Sequence, residues 1–301
     1  MNTMDVKTEN SLAKLKKYVI YGLLYAVLIA LAIVELFPFV YMVLASFKSF
    51  DEMLLSSDFY LFPKEWNLKG YFGEPYYSVF EQIPFWSGFK NTMIIEASFF
   101  FVGLIADVLA AYSFSKIKFR GRNALLLMCL VATMVPFVVT MMPQYTMFSM
   151  LGLTGGMNGS LWPLVLPHFM GTVGVIFYLE RYMKSLPDDI FEAGTVDGLG
   201  HIGKIVYLAV PMSVPAILVQ CVFMFLGIWN DVLMPDLYLK GDQNKTLQVM
   251  LQAFSNTVAN DFTLLPPLMA GATLSSIPLL ILYLSCQRFF VDALAAGAVK
   301  G

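Results

Sequence analysis

The sequence predicts an all-α membrane protein with six transmembrane helices, and three observations carry that prediction. Hydrophobic residues make up 58% of the 301-residue chain and charged ones only 13%, against roughly 45–50% and about 25% in soluble domains. No Asp, Glu, Lys or Arg occurs between Arg122 and Glu180, from Ile205 to Asn230, or from Phe262 to Gln287. A helix crosses the hydrocarbon core with about 20 apolar residues, so the first run holds two spans and each of the others one. Two upstream stretches complete the six: Tyr18 to Ala45 carries only Glu35, and Thr92 to Ser115 only Glu96 and Asp107.

Taken in order, the expected spans cover residues 18–47, 91–115, 123–143, 161–182, 208–229 and 266–289. The first apolar run outlasts the core of a signal peptide and is read as an uncleaved span. With the N-terminus inside, thirteen Lys and Arg lie on the inner side and six (Lys48, Lys64, Lys69, Lys90, Lys240, Lys245) on the outer, as the positive-inside rule requires. Residues 1–17 and 290–301 are then cytoplasmic ends flanking a transmembrane domain of 18–289. The outer loop 46–90 carries thirteen aromatics from Phe50 to Phe89, which read as an interfacial belt, with a docking surface for an external protein or stacking sites for a sugar as the alternatives. The Gly-rich stretch 151–159 reads as turns. Prolines at 136, 143, 163, 167, 211, 215, 266, 267 and 278 are expected to kink or end helices.

Several classes are excluded. A net charge of −2 and a pI near 5.7 give no basic footprint for nucleic acid. Cys129, Cys221 and Cys286 lie inside expected spans as small apolar residues, without a disulfide spacing. The only histidines are His168 and His201, and no serine-hydrolase, zinc-protease or Cys-x-x-Cys pattern occurs, so no catalytic residue, metal site or cofactor is expected. Gly198-x-Gly200-x-x-Gly203 and Gly198-x4-Gly203-Lys204 imitate nucleotide-binding loops. No strand precedes them, and Ile205 stands where Ser or Thr would follow the lysine.

One inner segment, 183–207, is too polar and short to cross the bilayer. Ser185 is placed to cap a helix with Pro187 in its first turn and Asp188 three residues on; Gly198 and Gly200 end it. Ile190, Ala193 and Gly194 share one face at i, i+3 and i+4. A helix of about ten residues is marginal alone in water, so it rests either in a partner's groove or on the chain's own spans.

Read whole, this loop resembles the EAA motif of bacterial ABC-importer permeases: Glu192-Ala193-Gly194, then Asp197-Gly198, then Leu208-Ala-Val-Pro211. Gly194 replaces the motif's second Ala, Leu208 its Ile, and Val210 the Leu before the proline. Lys90-Asn-Thr92, Ala111-Tyr-Ser-Phe-Ser-Lys116, Phe119-Arg-Gly-Arg122, Met134-Val-Pro136, Trp229-Asn-Asp231 and Gln287-Arg-Phe-Phe-Val291 extend the likeness over nearly the whole chain. It is similar to the six-span subunit of the maltose-transporter type of carbohydrate permeases, a type I importer fold with a cytoplasmic EAA coupling helix.

That resemblance implies a heterodimer with a second permease, two cytoplasmic ATPase subunits, an extracellular solute-binding protein and a sugar substrate, in the cytoplasmic membrane of a bacterium or archaeon. Glu192, Ala193, Gly194, Asp197 and Gly198 would be the ATPase-coupling residues, with Glu192 bonding to the ATPase and Gly198 making the turn. Gln144, Asn230 and Asp231 are candidates for the outer mouth of the sugar path, or else cap helices and pack at the interface. Glu35, Glu96 and Asp107 are read as facing the second permease, the cavity or the headgroups rather than forming a proton relay, so Asp107→Asn is expected to alter uptake little. An ion-driven secondary transporter subunit is the alternative, as is a membrane scaffold.

Overall fold

The structure, a computed structural model, describes residues 3–55, 60–64, 66, 74–154 and 160–298, with backbone alone for 3–15, 55 and 288–298. Phe59, Lys69, Tyr71 and Phe72 of the aromatic loop, and Gly155, Gly156 and Gly159 of the Gly-rich stretch, lie outside the described residues. All regular structure among the described residues is helical. The chain divides into two units, Met1–Val79 with Asp261–Thr273, and Phe80–Asn260 with Leu274–Gly301.

In the first unit, helix α1 (Thr3–Ala45) runs unbroken through Pro38. The stretch 1–17, expected as a separate end, thus joins the first span as one helix from Thr3 onward. Its apolar side chains are exposed on all sides, as with Leu23, Ile33 and Val34, the pattern of a helix solvated by lipid. It stops at Ser46, whose hydroxyl donates to the Val43 carbonyl at 2.6 Å and lies 2.7 Å from the Tyr76 hydroxyl. Phe47 packs against Trp66 and Tyr76 there.

Helix α2 (Glu74–Gln82) begins in the first unit and ends in the second, which continues with α3 (Phe85–Ser98), a π-helical turn (Phe99–Gly103) and α4 (Leu104–Lys116). Together Phe85–Lys116 forms one apolar span. Next come α5 (Arg122–Thr133) and α6 (Phe137–Met150), then α7 (Trp162–Val165), a 3-10 turn (Leu166–Met170) and α8 (Val173–Lys184). The inner segment holds α9 (Asp188–Val196) and α10 (His201–Lys204), and a π-helical turn (Ile205–Ala209) leads into α11 (Val210–Trp229). Last are α12 (Leu233–Tyr238), α13 (Leu247–Val258) and α14 (Leu265–Ala298), the last shared with the first unit. Asn91 donates to the Gln243 and Lys245 carbonyls, and the Leu247 amide donates to Thr92 Oγ1, which seats α13 on α3.

The third span breaks at Pro136, one of the prolines expected to kink or end a helix, and more sharply than a kink within one span. Instead of one helix over 123–143, α5 and α6 meet at 93°. Pro136, at φ −57° and ψ 133°, has no amide hydrogen to give and pushes the preceding residue away from helical geometry. Met134 and Val135 close the first half with bonds to Val131 and Ala132. At 1.5 Å per residue each half reaches only about 20 Å, so neither spans alone. Among the described residues five helices are long and apolar enough to cross a bilayer, and counting the bent pair as one span gives six. Elsewhere proline is absorbed: Pro143, Pro215 and Pro278 sit inside helices, and Pro163 and Pro211 in first turns.

The fourth span is also broken, at Gly171 (φ 77°), and the break explains Asp107. Far from facing a partner, cavity or headgroups, Asp107 is wholly buried within the chain, and its Oδ1 accepts the Thr172 amide at 2.6 Å. A backbone donor freed inside a membrane protein must find a partner, and a carboxylate from α4 supplies it at the start of α8. A Cβ on residue 171 would lie 2.9 Å from that oxygen, so only glycine fits. Glu96 is equally buried, without a hydrogen-bond partner among the described residues. From this anchor α4 and α8 pack along their length, with Val108, Ala111, Tyr112, Val175, Leu179 and Met183 in one core.

An unpaired buried amide costs about 1–3 kcal/mol. Asp107→Leu is therefore expected to lower the thermal midpoint of the detergent-purified protein clearly, whereas Asp107→Asn, which retains an acceptor oxygen, stays close to native. Equal losses in the two variants would contradict the cap.

Candidate functional site

The inner segment between α8 and α11 is the site that the sequence singled out, and its geometry follows from a few residues. Ser185 does not cap it. Its hydroxyl donates back to the Tyr182 carbonyl at 2.7 Å, and Pro187, at ψ 128°, occupies the position before the first helical residue. Proline, with φ preset and no amide to satisfy, has displaced the expected capping box. Asp188 and Asp189 still fill the first turn of α9, where acid complements the helix dipole.

The C-terminal end of α9 closes as a Schellman motif. The Leu199 amide donates to the Gly194 carbonyl at 2.8 Å and the Gly198 amide to Thr195 at 3.1 Å, with Gly198 at φ 83°. Nothing lies within 4 Å of where a Gly198 side chain would start, so glycine is needed for backbone conformation rather than for room. Lys204 Nζ donates to Thr195 Oγ1 at 2.6 Å, which ties α10 back onto α9.

The faces of α9 differ from expectation. Phe191 and Gly194 are buried against the spans, while Ile190 and Ala193, expected beside Gly194, point outward with Glu192 and Asp197. Phe191 wins the inward position because its ring fills the core shared by α4 and α8. Val196 is 89% exposed and Ile202 77%, an apolar pair with no cover. Gly194, the residue that replaces alanine, has a reason: a Cβ there would stand 2.8 Å from Leu208 Cδ1. Two of the three departures from the resembling motif, at 194 and 208, thus face each other in space.

What holds this loop is not evident from its own residues, because the contact comes from α4. Lys116, the last residue of α4, donates to the Leu186 carbonyl at 2.8 Å and to Asp188 Oδ1 at 2.6 Å, and its ammonium lies 4.6 Å from the centre of the Phe191 ring. The hydrogen bond and charge of Lys116, aided by Lys118, hold the Asp188 carboxyl below its ordinary value. A group whose pKa falls on folding contributes above its ordinary range and loses that contribution as pH drops through the lowered value, so the contact persists at neutral pH. In the sequence Lys116 stood only as one of the inner-side positive charges and as the end of the 111–116 segment of the resemblance, since its partner lies 72 residues away. A groove of about 440 Å³ opens beside it, lined by Tyr112, Lys116, Arg122, Glu192, His201 and Lys204 among others.

The outer-mouth candidates are gathered around α12. Asp231 Oδ1 accepts the Met234 amide at 3.3 Å, and burial raises its pKa against that backbone bond. Gln144 Oε1 lies 3.5 Å from the Tyr238 hydroxyl at the other end of α12. Asn230 ends α11 and donates to the Leu226 carbonyl. Asp231 also borders a cavity of about 180 Å³ with Ile95, Pro167 and His168.

Helical spans, two of them broken where the sequence offers proline or glycine, with a short exposed helix–turn–helix hung between two spans, define a multi-pass membrane transport component. The chain belongs to the family of binding-protein-dependent transport system inner membrane components, whose pattern matches residues 100–295. It is 28% identical to the maltodextrin transport system permease protein MalD of Streptococcus pneumoniae over 97% of this chain and all of that one. It is 34% identical to the osmoprotective compounds uptake permease protein GgtD of Synechocystis sp. over 70% of each. A bacterial ABC transporter that imports the acidic polysaccharide alginate shares the fold at a TM-score of 0.74 and 21% identity, covering 90% of this chain and 96% of that one.

Gly198→Val forces a β-branched residue into a left-handed conformation that costs L-residues about 1–2 kcal/mol, whereas asparagine tolerates it. Hydrogen exchange of residues 194–199 is expected to accelerate in Gly198→Val and to stay near native in Gly198→Asn.

Proposed function

We propose that the chain is one permease subunit of an ATP-driven importer of sugars or oligosaccharides, forming half of a pathway completed by a second permease. The observation that carries this reading is the exposed face of α9, where Glu192, Ala193 and Val196 stand clear of the spans on a helix whose two ends are fastened. A helix so short is not held open to solvent for its own stability, and its acidic and apolar surface suits a cleft in a cytoplasmic ATPase. The Glu192-Ala193-Gly194 pattern and the relatives, which include permeases of maltodextrin, arabino-oligosaccharide and diacetylchitobiose systems, support it.

In this reading both termini and the 183–207 loop are cytoplasmic, and an external solute-binding protein delivers substrate to the opposite side. Closure of two ATPase subunits on ATP displaces α9 as a rigid body and exchanges inward for outward opening. The loaded binding protein, ATP and the outward-open state favour one another by linkage of their binding free energies. Asp231, Gln144 and Asn230 sit where substrate enters, with polar groups near the aromatic rings of Tyr145 and Tyr238, a combination suited to sugar hydroxyls and ring faces.

The test is to purify the tagged chain from its native membranes in mild detergent, identify what accompanies it, and reconstitute the assembly with its binding protein and labelled maltodextrin, arabino-oligosaccharide and chitobiose. A second permease, an ATPase and ATP-dependent uptake of one probe are expected. Gly198→Val is expected to assemble and hydrolyse ATP while uptake per ATP falls at least several-fold. A chain that comes out alone and takes up solute on an ion gradient without ATP would overturn the reading.

A further inference from the structure

By sequence, the inner loop connects only the fourth and fifth spans, and a push on α9 would reach those two alone. The structure adds a third attachment. The side chain of Lys116 is 6% exposed although lysine carries a full charge. A buried cation is retained only where partners converge on it, and the Leu186 carbonyl, the Asp188 carboxylate and the Phe191 ring do so, all from the first residues of the loop. The carbonyl end of α4 also favours a cation at this position. One turn earlier on α4, Tyr112 packs its ring against Phe191 and places its hydroxyl 3.4 Å from His201 Nδ1. The end of the second span therefore grips α9 through Asp188 and Phe191 and α10 through His201.

We infer that Lys116 is a positioning residue of energy coupling: its ammonium locks the loop to the cytoplasmic end of the second span, so that movement of α9 is delivered to α4 as well as to the two spans that the loop joins. This rests on the reading of α9 as an ATPase-docking helix. The lock is polar and directional, so it resists sliding of α9 along α4 in a way that the apolar contact of Phe191 alone does not. It lies at the last residue of α4, where Ile117 turns to extended geometry (φ −95°, ψ 129°). Strain carried through it therefore acts on the helix terminus and, through the α4–α8 core, on the buried Asp107 junction.

Hydrogen exchange on the complex in lipid nanodiscs, before and after trapping with ATP, magnesium and vanadate, tests the inference. In Lys116→Met, residues 188–199 are expected to exchange roughly tenfold faster or more than native before trapping, the loss of one charged hydrogen bond, and Lys116→Arg to restore protection. On trapping, native and Lys116→Arg protein respond both in α9 and in residues 113–117, whereas Lys116→Met responds in α9 alone. Asp188→Asn breaks the same ion pair from an exposed residue, so it gives the same pattern in smaller degree even where Lys116→Met fails to fold. Transmission to 113–117 that survives in Lys116→Met, that is undiminished in Asp188→Asn, or that is lost equally in Lys116→Arg, overturns the inference. If no ATPase accompanies the chain and trapping leaves native exchange unchanged, the docking reading fails, while the difference between Met and Arg at 116 still reports on the lock.

Discussion

A hydrogen bond from the Thr172 amide to the Asp107 carboxylate allows a helix to be broken inside a membrane protein, and much of the inner half is arranged around it. Without water, a freed backbone donor has to be answered by protein, and here the answer is a buried side chain on a neighbouring span. The same bond fixes where α8 starts and how it lies against α4. That alignment brings Val108, Ala111 and Tyr112 against Val175, Leu179 and Met183 and sets the height at which α8 releases the chain into the inner loop.

From that height the loop is built by local rules. Pro187 starts α9, Gly198 ends it in a left-handed turn, and Lys204 folds α10 back onto Thr195. Phe191 enters the core of the spans, which turns Glu192, Ala193 and Val196 outward. An inward-facing aromatic thus decides which residues a partner meets. The motif residues take part in two jobs: Gly194 and Gly198 shape the helix and its exit, and Glu192, Ala193 and Asp197 form its open surface.

Much of this was legible in the sequence, because lipid leaves a strong compositional trace. The runs poor in charge pointed to the long apolar helices, although those expected from 91 and 208 begin at Phe85 and His201, and Gly198 declared its turn. Other features depended on contacts distant in the chain. A break at Pro136 was expected from the proline, but not its size of 93°, since hydropathy does not register a change of direction. Asp107 looked like an exposed or partner-facing acid because its bond is to an amide 65 residues on. Lys116 counted as one of many positive charges. Periodicity alone placed Ile190, Ala193 and Gly194 on one face, but it did not reveal that Phe191 had the larger core site to fill.

The central claim is that the outward face of α9 meets a cytoplasmic ATPase. Site-specific photo-cross-linking in intact membranes tests it directly, with the probe at Val196 on α9 and, as the opposite-side control, at Gln252 on the exposed surface of α13. The account predicts a covalent adduct between Val196 and an ATP-hydrolysing subunit, and none from Gln252. An adduct to that subunit from Gln252, or capture from Val196 only of lipid or extracytoplasmic protein, would contradict both the coupling role and the orientation on which it depends.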